Sequence, residues 1–225
     1  MKKKITAGKE IDLLKKYPKA NRNLDLRLLQ KDENTRLIAR KFGKDFFDGE
    51  RKFGYGGFFY HPKYWSGVVQ DMIKYWGLNA KHSILDVGCA KGFMLYDFQK
   101  ALPGISYQGI DVSNYAVSNG LEEVKKNLMV ADAKNIPFSD NSFDVVISIN
   151  TIHNLDIEDC KKALQEIQRV SKKNCFVTVD AFRNKEEEKR MHAWNLTAKT
   201  IMSVDNWKKI FNEVGYKGDY FWFIP

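Results

Sequence analysis

The sequence predicts an α/β fold: a doubly wound, mainly parallel sheet with helices on both faces. Three observations predict it. Strand-length apolar runs alternate with helix-length amphipathic segments from residue 66 onward. The run Ser83 to Val87 passes through a turn of small residues directly into a helical pattern at Phe93, Met94, Tyr96 and Phe98. Two further runs end in aspartates, Asp111 and Asp180, at what becomes the carboxyl edge of the sheet, where ligands bind in open α/β folds.

The elements follow in order. Residues 1–65 read as a basic helical arm with an aromatic, glycine-rich loop, and residues 66–225 as the α/β domain. In the arm, Glu33 to Phe47 carries Leu37, Ile38, Phe42 and Phe46 at helical spacing. Phe53 to Trp65 mixes three glycines with seven aromatics, and Pro62 argues against a continuous helix there. Ser66 is the expected cap of a helix with Val68, Val69, Met72, Ile73 and Trp76 on its apolar face, and Gly77 is its stop. The domain then reads strand 83–87, helix 91–101, strand 106–110, helix 113–123, strand 127–131, strand 143–149, helix 156–171 and strand 174–180. A charged helix over Asn184 to Trp194 follows, with Leu196 to Met202 extended. Ser203 caps a last helix that Gly215 ends, and Tyr220 to Ile224 forms a final strand.

Composition bounds the function. No apolar run approaches the ~20 residues of a membrane helix, and Met-Lys-Lys-Lys-Ile is followed by too polar a stretch for a secretory signal. Cys89, Cys160 and Cys175 are scattered, so neither a disulfide framework nor a metal site is expected, and a reducing cytoplasm is the expected compartment. The basic excess is local: residues 1–52 hold 16 Lys or Arg against 8 Asp or Glu, nearly all of the net +9. Such an arm suits an anionic small molecule, nucleic acid or an anionic surface, or is simply a solvated helical face.

The turn Asp86-Val87-Gly88-Cys89-Ala90-Lys91-Gly92 carries most of the functional information. A dinucleotide fingerprint has glycines at relative positions one, three and six, whereas here the last glycine falls at position five. Asp111, 23 residues after Gly88, ends the next strand, where a carboxylate can accept ribose hydroxyls. Val130-Ala131-Asp132-Ala133 then leads to a Pro137-Phe138 turn and the strand that ends near Asn150.

In their order and spacing, these motifs over about residues 83 to 180 resemble class I S-adenosylmethionine-dependent methyltransferases, of the kind that modify ubiquinone and small molecules. Ala90 stands where the family pattern has its central glycine, a position where alanine takes positive φ only at a cost. The resemblance implies a Rossmann-like sheet that in the family has seven strands, the last antiparallel; here the seventh is either missing or supplied by residues 197–202. It also implies S-adenosylmethionine as cofactor, S-adenosylhomocysteine as product, and donor contacts from Asp86, Gly88, Cys89, Ala90, Gly92, Asp111, Val112, Asp132, Ala133 and Asn150. No metal is implied. The Gly56 and Gly57 loop is expected either to close over the donor, with the Tyr55 hydroxyl near its methionine carboxylate, or to act as a hydrophobic staple fixing the arm to the core.

Methyl transfer from a sulfonium needs alignment and, for a hydroxyl acceptor, a base. His153, just beyond the fourth strand, is one candidate, or else it caps and packs the next helix. His61 is a second. His192 and Trp194 either form a substrate lid or belong to a surface helix. The expected activity is methylation of a small or medium-sized metabolite at an oxygen, such as a sugar or nucleotide-linked hydroxyl. The alternatives are an RNA- or protein-directed methyltransferase that uses the basic arm, and a non-catalytic S-adenosylmethionine-binding protein. Oligomeric state is not legible in the sequence.

Overall fold

The computed structural model describes residues 8–19, 22–56 and 58–225. Gly57 and the N-terminal lysine run, both singled out above, lie outside the described residues.

The sheet is built by β1 (Ser83–Val87), β2 (Ser106–Asp111), β3 (Leu128–Val130), β4 (Phe143–Ile149), β5 (Ser171–Phe182), β6 (Met202–Ser203) and β7 (Asp219–Phe223). Its order is β3-β2-β1-β4-β5, with β7 and the two-residue β6 both pairing with β5, and all of these pairings are parallel. Alternate residues face opposite sides of each strand. Ile84, Val145, Ile147 and Phe176 enter one core, and Leu85, Val87, Val146 and Val177 the other. Helices cover both sides: α4 (Pro62–Trp76) and α5 (Phe93–Ala101) line the first core, and α8 (Ile157–Val170) and α10 (Val204–Val214) the second.

No antiparallel strand appears among the described residues, and residues 197–201 supply none. Residues 219–223 instead run parallel to β5, and the outer edge of β7 is covered by the N-terminal segment. Gly8 N–H donates to Gly218 O at 3.1 Å, Tyr220 N–H to Lys9 O at 3.0 Å and Ile11 N–H to Tyr220 O at 3.0 Å. Covering an edge strand in this way removes a row of open backbone groups.

Other departures have local causes. The helix expected to start at Ser66 starts at Pro62, because proline suits the first helical position and the His61 Nδ1 accepts the Lys63 N–H at 3.1 Å. The helix expected over 33–47 divides into α2 (Glu33–Arg40) and α3 (Lys44–Asp48), since Phe42 takes φ +47° between them. The helix expected over 113–123 breaks into α6 (Asn114–Ser118) and α7 (Glu122–Lys125). At the break Gly120 lies against the Leu128 side chain and the Leu121 N–H turns to Lys91 O at 3.0 Å. Residues 196–201 form no strand; Lys199 and Thr200 both donate their N–H to His153 O. The caps at Gly77, Ser203 and Gly215 stand where the sequence predicts.

The arm completes the molecule. Its first helix, α1 (Leu24–Gln30), packs on α9 (Lys185–Trp194), the charged helix that follows β5. No helix among the described residues is long and apolar enough to cross a membrane.

Candidate functional site

Two adjoining regions lie at the carboxyl ends of the strands. The first is the turn after β1. Gly88, Ala90 and Gly92 have φ of +86°, +49° and +79°, so Ala90 adopts the conformation that alanine resists. A side chain at Gly88 would collide with Thr151, which closes over the turn from beyond β4. At Gly92 it would come within 2.8 Å of Val124, so this glycine serves helix-to-strand packing. The Cys89 side chain points into the core against Gly109, and burial, reinforced by Asp86 and Asp111, pushes its thiol up. Its part in the turn is therefore its backbone.

Asp111 fastens this turn. Its Oδ2 accepts the Ala90 N–H and its Oδ1 the Ser113 N–H, each at 2.8 Å. Burial raises its pKa against these two bonds. The neighbouring Asp86 is 4% exposed and has no hydrogen-bonding partner among the described residues. Burial and then the charge of Asp111 push its pKa up to about 8. A buried carboxylate in this state calls for a cationic or donor group. Beside Asp111, Val112 leaves 60% of its surface open, an apolar face at the tip of β2. Asp132 is half-buried, with Oδ1 accepting the Lys134 N–H at 3.0 Å, and Ala133 packs against the core. These residues fit an adenosine-bearing cation: three acid groups, an open apolar face and a turn without side-chain bulk.

The arm reaches over this region. Lys91, buried at the turn, pairs with Asp48 of α3 and donates to Phe58 O at 3.2 Å. Tyr115 donates to the other Asp48 oxygen at 2.8 Å. Burial opposes ionisation of Asp48, but the bonds from Lys91 and Tyr115 outweigh it and hold its pKa low. The Ser113 hydroxyl donates to Phe42 O, so the strained residue of the arm sits directly over the end of β2.

The second region is a cavity beyond β4 and β5, bounded by Phe46, Tyr55 and Trp194 on one side and by Asn150, His153 and Asp180 on the other. Asn154, Thr197 and Phe223 complete the lining. Asn150, at φ +53°, is held by Thr178, whose hydroxyl donates to Asn150 Oδ1 at 2.8 Å. Asp180 is the hub. Its N–H donates to His153 Nδ1 at 3.0 Å, its Oδ2 accepts from Asn195 Nδ2 at 2.6 Å, and its Oδ1 stands 3.5 Å from His153 Nε2. Burial raises the Asp180 pKa, partly offset by His153 and Asn195, and burial lowers that of His153. The histidine is therefore neutral near pH 7, with its proton on Nε2. Neither ring nitrogen offers a free lone pair to the cavity, so the expectation of His153 as base gives way to a positioning role.

Two more expectations are revised, and a third is divided. The Tyr55 hydroxyl accepts the Leu196 and Thr197 N–H groups at 2.7 and 3.2 Å. It ties the loop to the segment after α9 rather than standing open for the donor's carboxylate. His61 is exposed at the α4 cap and lies outside the cavity lining. His192 is exposed, whereas Trp194, two residues on, forms cavity wall. Sequence reading did not single out Asn154, Asn195 or Thr197; the partners of Asn195 and Thr197, Asp180 and Tyr55, come from other elements. Among the described residues no group of three or more His, Cys, Asp or Glu is placed to hold a metal ion.

A family model described as a methyltransferase domain matches residues 78–215. An uncharacterized protein of Haemophilus influenzae is 32% identical over 155 residues, taking in 63% of this chain and 61% of that protein. The mitochondrial arginine-hydroxylase NDUFAF5 of Mus musculus is 33% identical over 89 residues, 39% of this chain and 25% of its own. The chain thus spans less than two thirds of the length of these curated relatives. Among solved structures, YcgJ of Bacillus subtilis matches over 65% of this chain and 66% of its own, with a TM-score of 0.53 at 20% identity, a likeness of fold. With this fold and this matched domain, the chain belongs to the S-adenosylmethionine-dependent methyltransferase family.

Proposed function

We propose that the protein transfers a methyl group from S-adenosylmethionine to a small or medium-sized metabolite, at an oxygen acceptor such as a sugar or nucleotide-linked hydroxyl. The observation that carries this reading is Asp180, a buried carboxylate on the wall of an aromatic cavity next to the donor turn.

The donor, when bound, supplies an already electrophilic methyl carbon on a sulfonium. The chain's part is to bind, align, exclude water and remove a proton. Asp86 would offer its carboxylate to the donor's ammonium, and Asp111 its remaining lone pairs to the ribose hydroxyls. Val112 and Asp132 would hold the adenine, and the backbone at Gly88 and Ala90 would leave room for the rest of the donor. On the acceptor side, Asp180 takes the hydroxyl proton on Oδ1, the oxygen that Asn195 does not engage. Its raised pKa favours this transfer near neutral pH. His153 and Asn195 hold the carboxylate in place.

Incubation with isotope-labelled S-adenosylmethionine and a metabolite extract, followed by mass spectrometry, tests the reading. A labelled small molecule carrying an O-methyl group is expected. An extract that stays unlabelled while RNA or protein takes up label would overturn it.

A further inference from the structure

We propose that the acceptor carries an anionic group, a carboxylate or a phosphate, and that the arginines of the arm bind it at the aromatic wall of the cavity, with Arg27 and Arg51 at the centre. The proposal rests on the acceptor cavity described above.

Arg27 Nη1 donates to Lys52 O at 3.1 Å. Arg27 Nη2 donates to Gly54 O at 2.8 Å, and Arg51 Nη1 donates to the same carbonyl oxygen. Two guanidinium groups thus converge on one neutral acceptor, which cancels neither charge. Arg27 is 5% exposed, so its charge is held largely away from water. Around it the positive charge accumulates. Lys31 donates to His192 O and Ala193 O, and Arg40 to Thr197 O and Ala198 O, again all carbonyls. The arginine ion pairs with carboxylates among the described residues are those of Arg169 and Arg183, both remote in sequence from the arm.

The cluster abuts the cavity. The Arg27 guanidinium lies 5.4 Å from the Tyr55 ring centroid and 5.0 Å from that of Trp194. Arg22 lies 4.8 Å from the Phe223 ring and 5.5 Å from Trp194. Tyr55, Trp194 and Phe223 are the cavity's aromatic wall. The crowding is also felt by Lys31, whose pKa is lowered to about 8 by burial and then by Arg36 and Arg27. Guanidinium forks suit a carboxylate or phosphate better than any other partner, since each presents parallel N–H groups to two oxygens. An anion here would turn a self-repelling cluster into a paired one, and would fix one end of the acceptor while its hydroxyl reaches Asp180.

The test uses the full chain saturated with S-adenosylhomocysteine and titrated with inorganic phosphate or, separately, citrate, at constant ionic strength. Intrinsic tryptophan fluorescence and melting temperature are followed. A saturable fluorescence change and a raised melting temperature are expected with at least one anion. Arg51→Gln and Arg27→Gln are expected to weaken that binding about tenfold each, a loss of ~1.4 kcal/mol. Their affinity for S-adenosylhomocysteine should stay unchanged, which also shows that the variants are folded. Absence of saturable binding in the wild type, or equal anion affinity in both variants, would overturn the proposal. So would a variant that loses S-adenosylhomocysteine affinity instead, since the arginines would then serve the donor's own carboxylate. Failure of the wild type to bind S-adenosylhomocysteine would count against the donor assignment rather than the anion site.

Discussion

Asp180 and His153 hold each other at two points: the Asp180 N–H donates to His153 Nδ1 at 3.0 Å, and Asp180 Oδ1 stands 3.5 Å from Nε2. The backbone bond fixes the imidazole tautomer, and the tautomer in turn presents an N–H to the carboxylate. Asp180→Asn should therefore lower kcat by about 10²- to 10⁴-fold, the range for loss of a general base, with donor affinity retained. His153→Gln should cost less, because it removes only the side chain that holds the carboxylate in place. An Asp180→Asn enzyme with near-normal turnover would remove the carboxylate from the mechanism.

Asp86 makes the unliganded protein sensitive to pH. In the folded chain it keeps its proton up to about pH 8, whereas its ordinary pKa is 3.8. Folding therefore takes up a proton between those values, and stability falls as pH rises across that window. Asp86→Asn should raise the melting temperature of the unliganded protein at pH 8, by about 2–4 °C for each kcal/mol recovered. Near pH 4 the change should vanish, and donor affinity should drop at both. Thermal melts of the two proteins at both pH values decide it; a constant difference would show that Asp86 is not the titrating group.

Ala90 pays for its positive φ. Ala90→Gly should stabilise the fold by about 1 kcal/mol, the usual cost of the left-handed region for a residue with a Cβ, and leave donor binding intact. Gly88→Ala should do the reverse, because its methyl group would meet Thr151. Denaturant titrations with and without S-adenosylhomocysteine test both, and a stabilised Gly88→Ala would contradict the packing described.

The Lys91–Asp48 pair clasps the arm to the donor turn. Asp48→Ala leaves a buried ammonium without its partner and should cost up to about 3 kcal/mol. Faster proteolytic cleavage within residues 40–60 and weaker S-adenosylhomocysteine binding should accompany it. Unchanged cleavage would mean that the arm is held elsewhere.

The strands β1 and β4 have the bounds expected from the sequence, and the caps at Gly77, Ser203 and Gly215 stand where they were predicted. Each of these is a local matter: apolar runs of strand length, a serine before a helix, a glycine where φ turns positive. The aspartates of the turn were legible for the same reason, since they lie at strand ends that periodicity locates. Ser66 shows the limit of such reading. It has the chemistry of a cap, but Pro62 and His61 upstream supply a better helix start.

By itself, then, the sequence determined the α/β class, the parallel core and the donor-side turn, because short-range periodicity and turn chemistry encode them. Tertiary structure alone decided that residues 219–223 run parallel to β5, and that Gly8 to Ile11 covers their edge. It also decided that the Tyr55 hydroxyl faces Leu196 and Thr197, that His153 spends both ring nitrogens on Asp180, and that Arg27 and Arg51 meet at Gly54. The reason is physical. A side chain's role in a site depends on which donors and acceptors face it, and most of these partners lie tens of residues or more away, where no local pattern can register them.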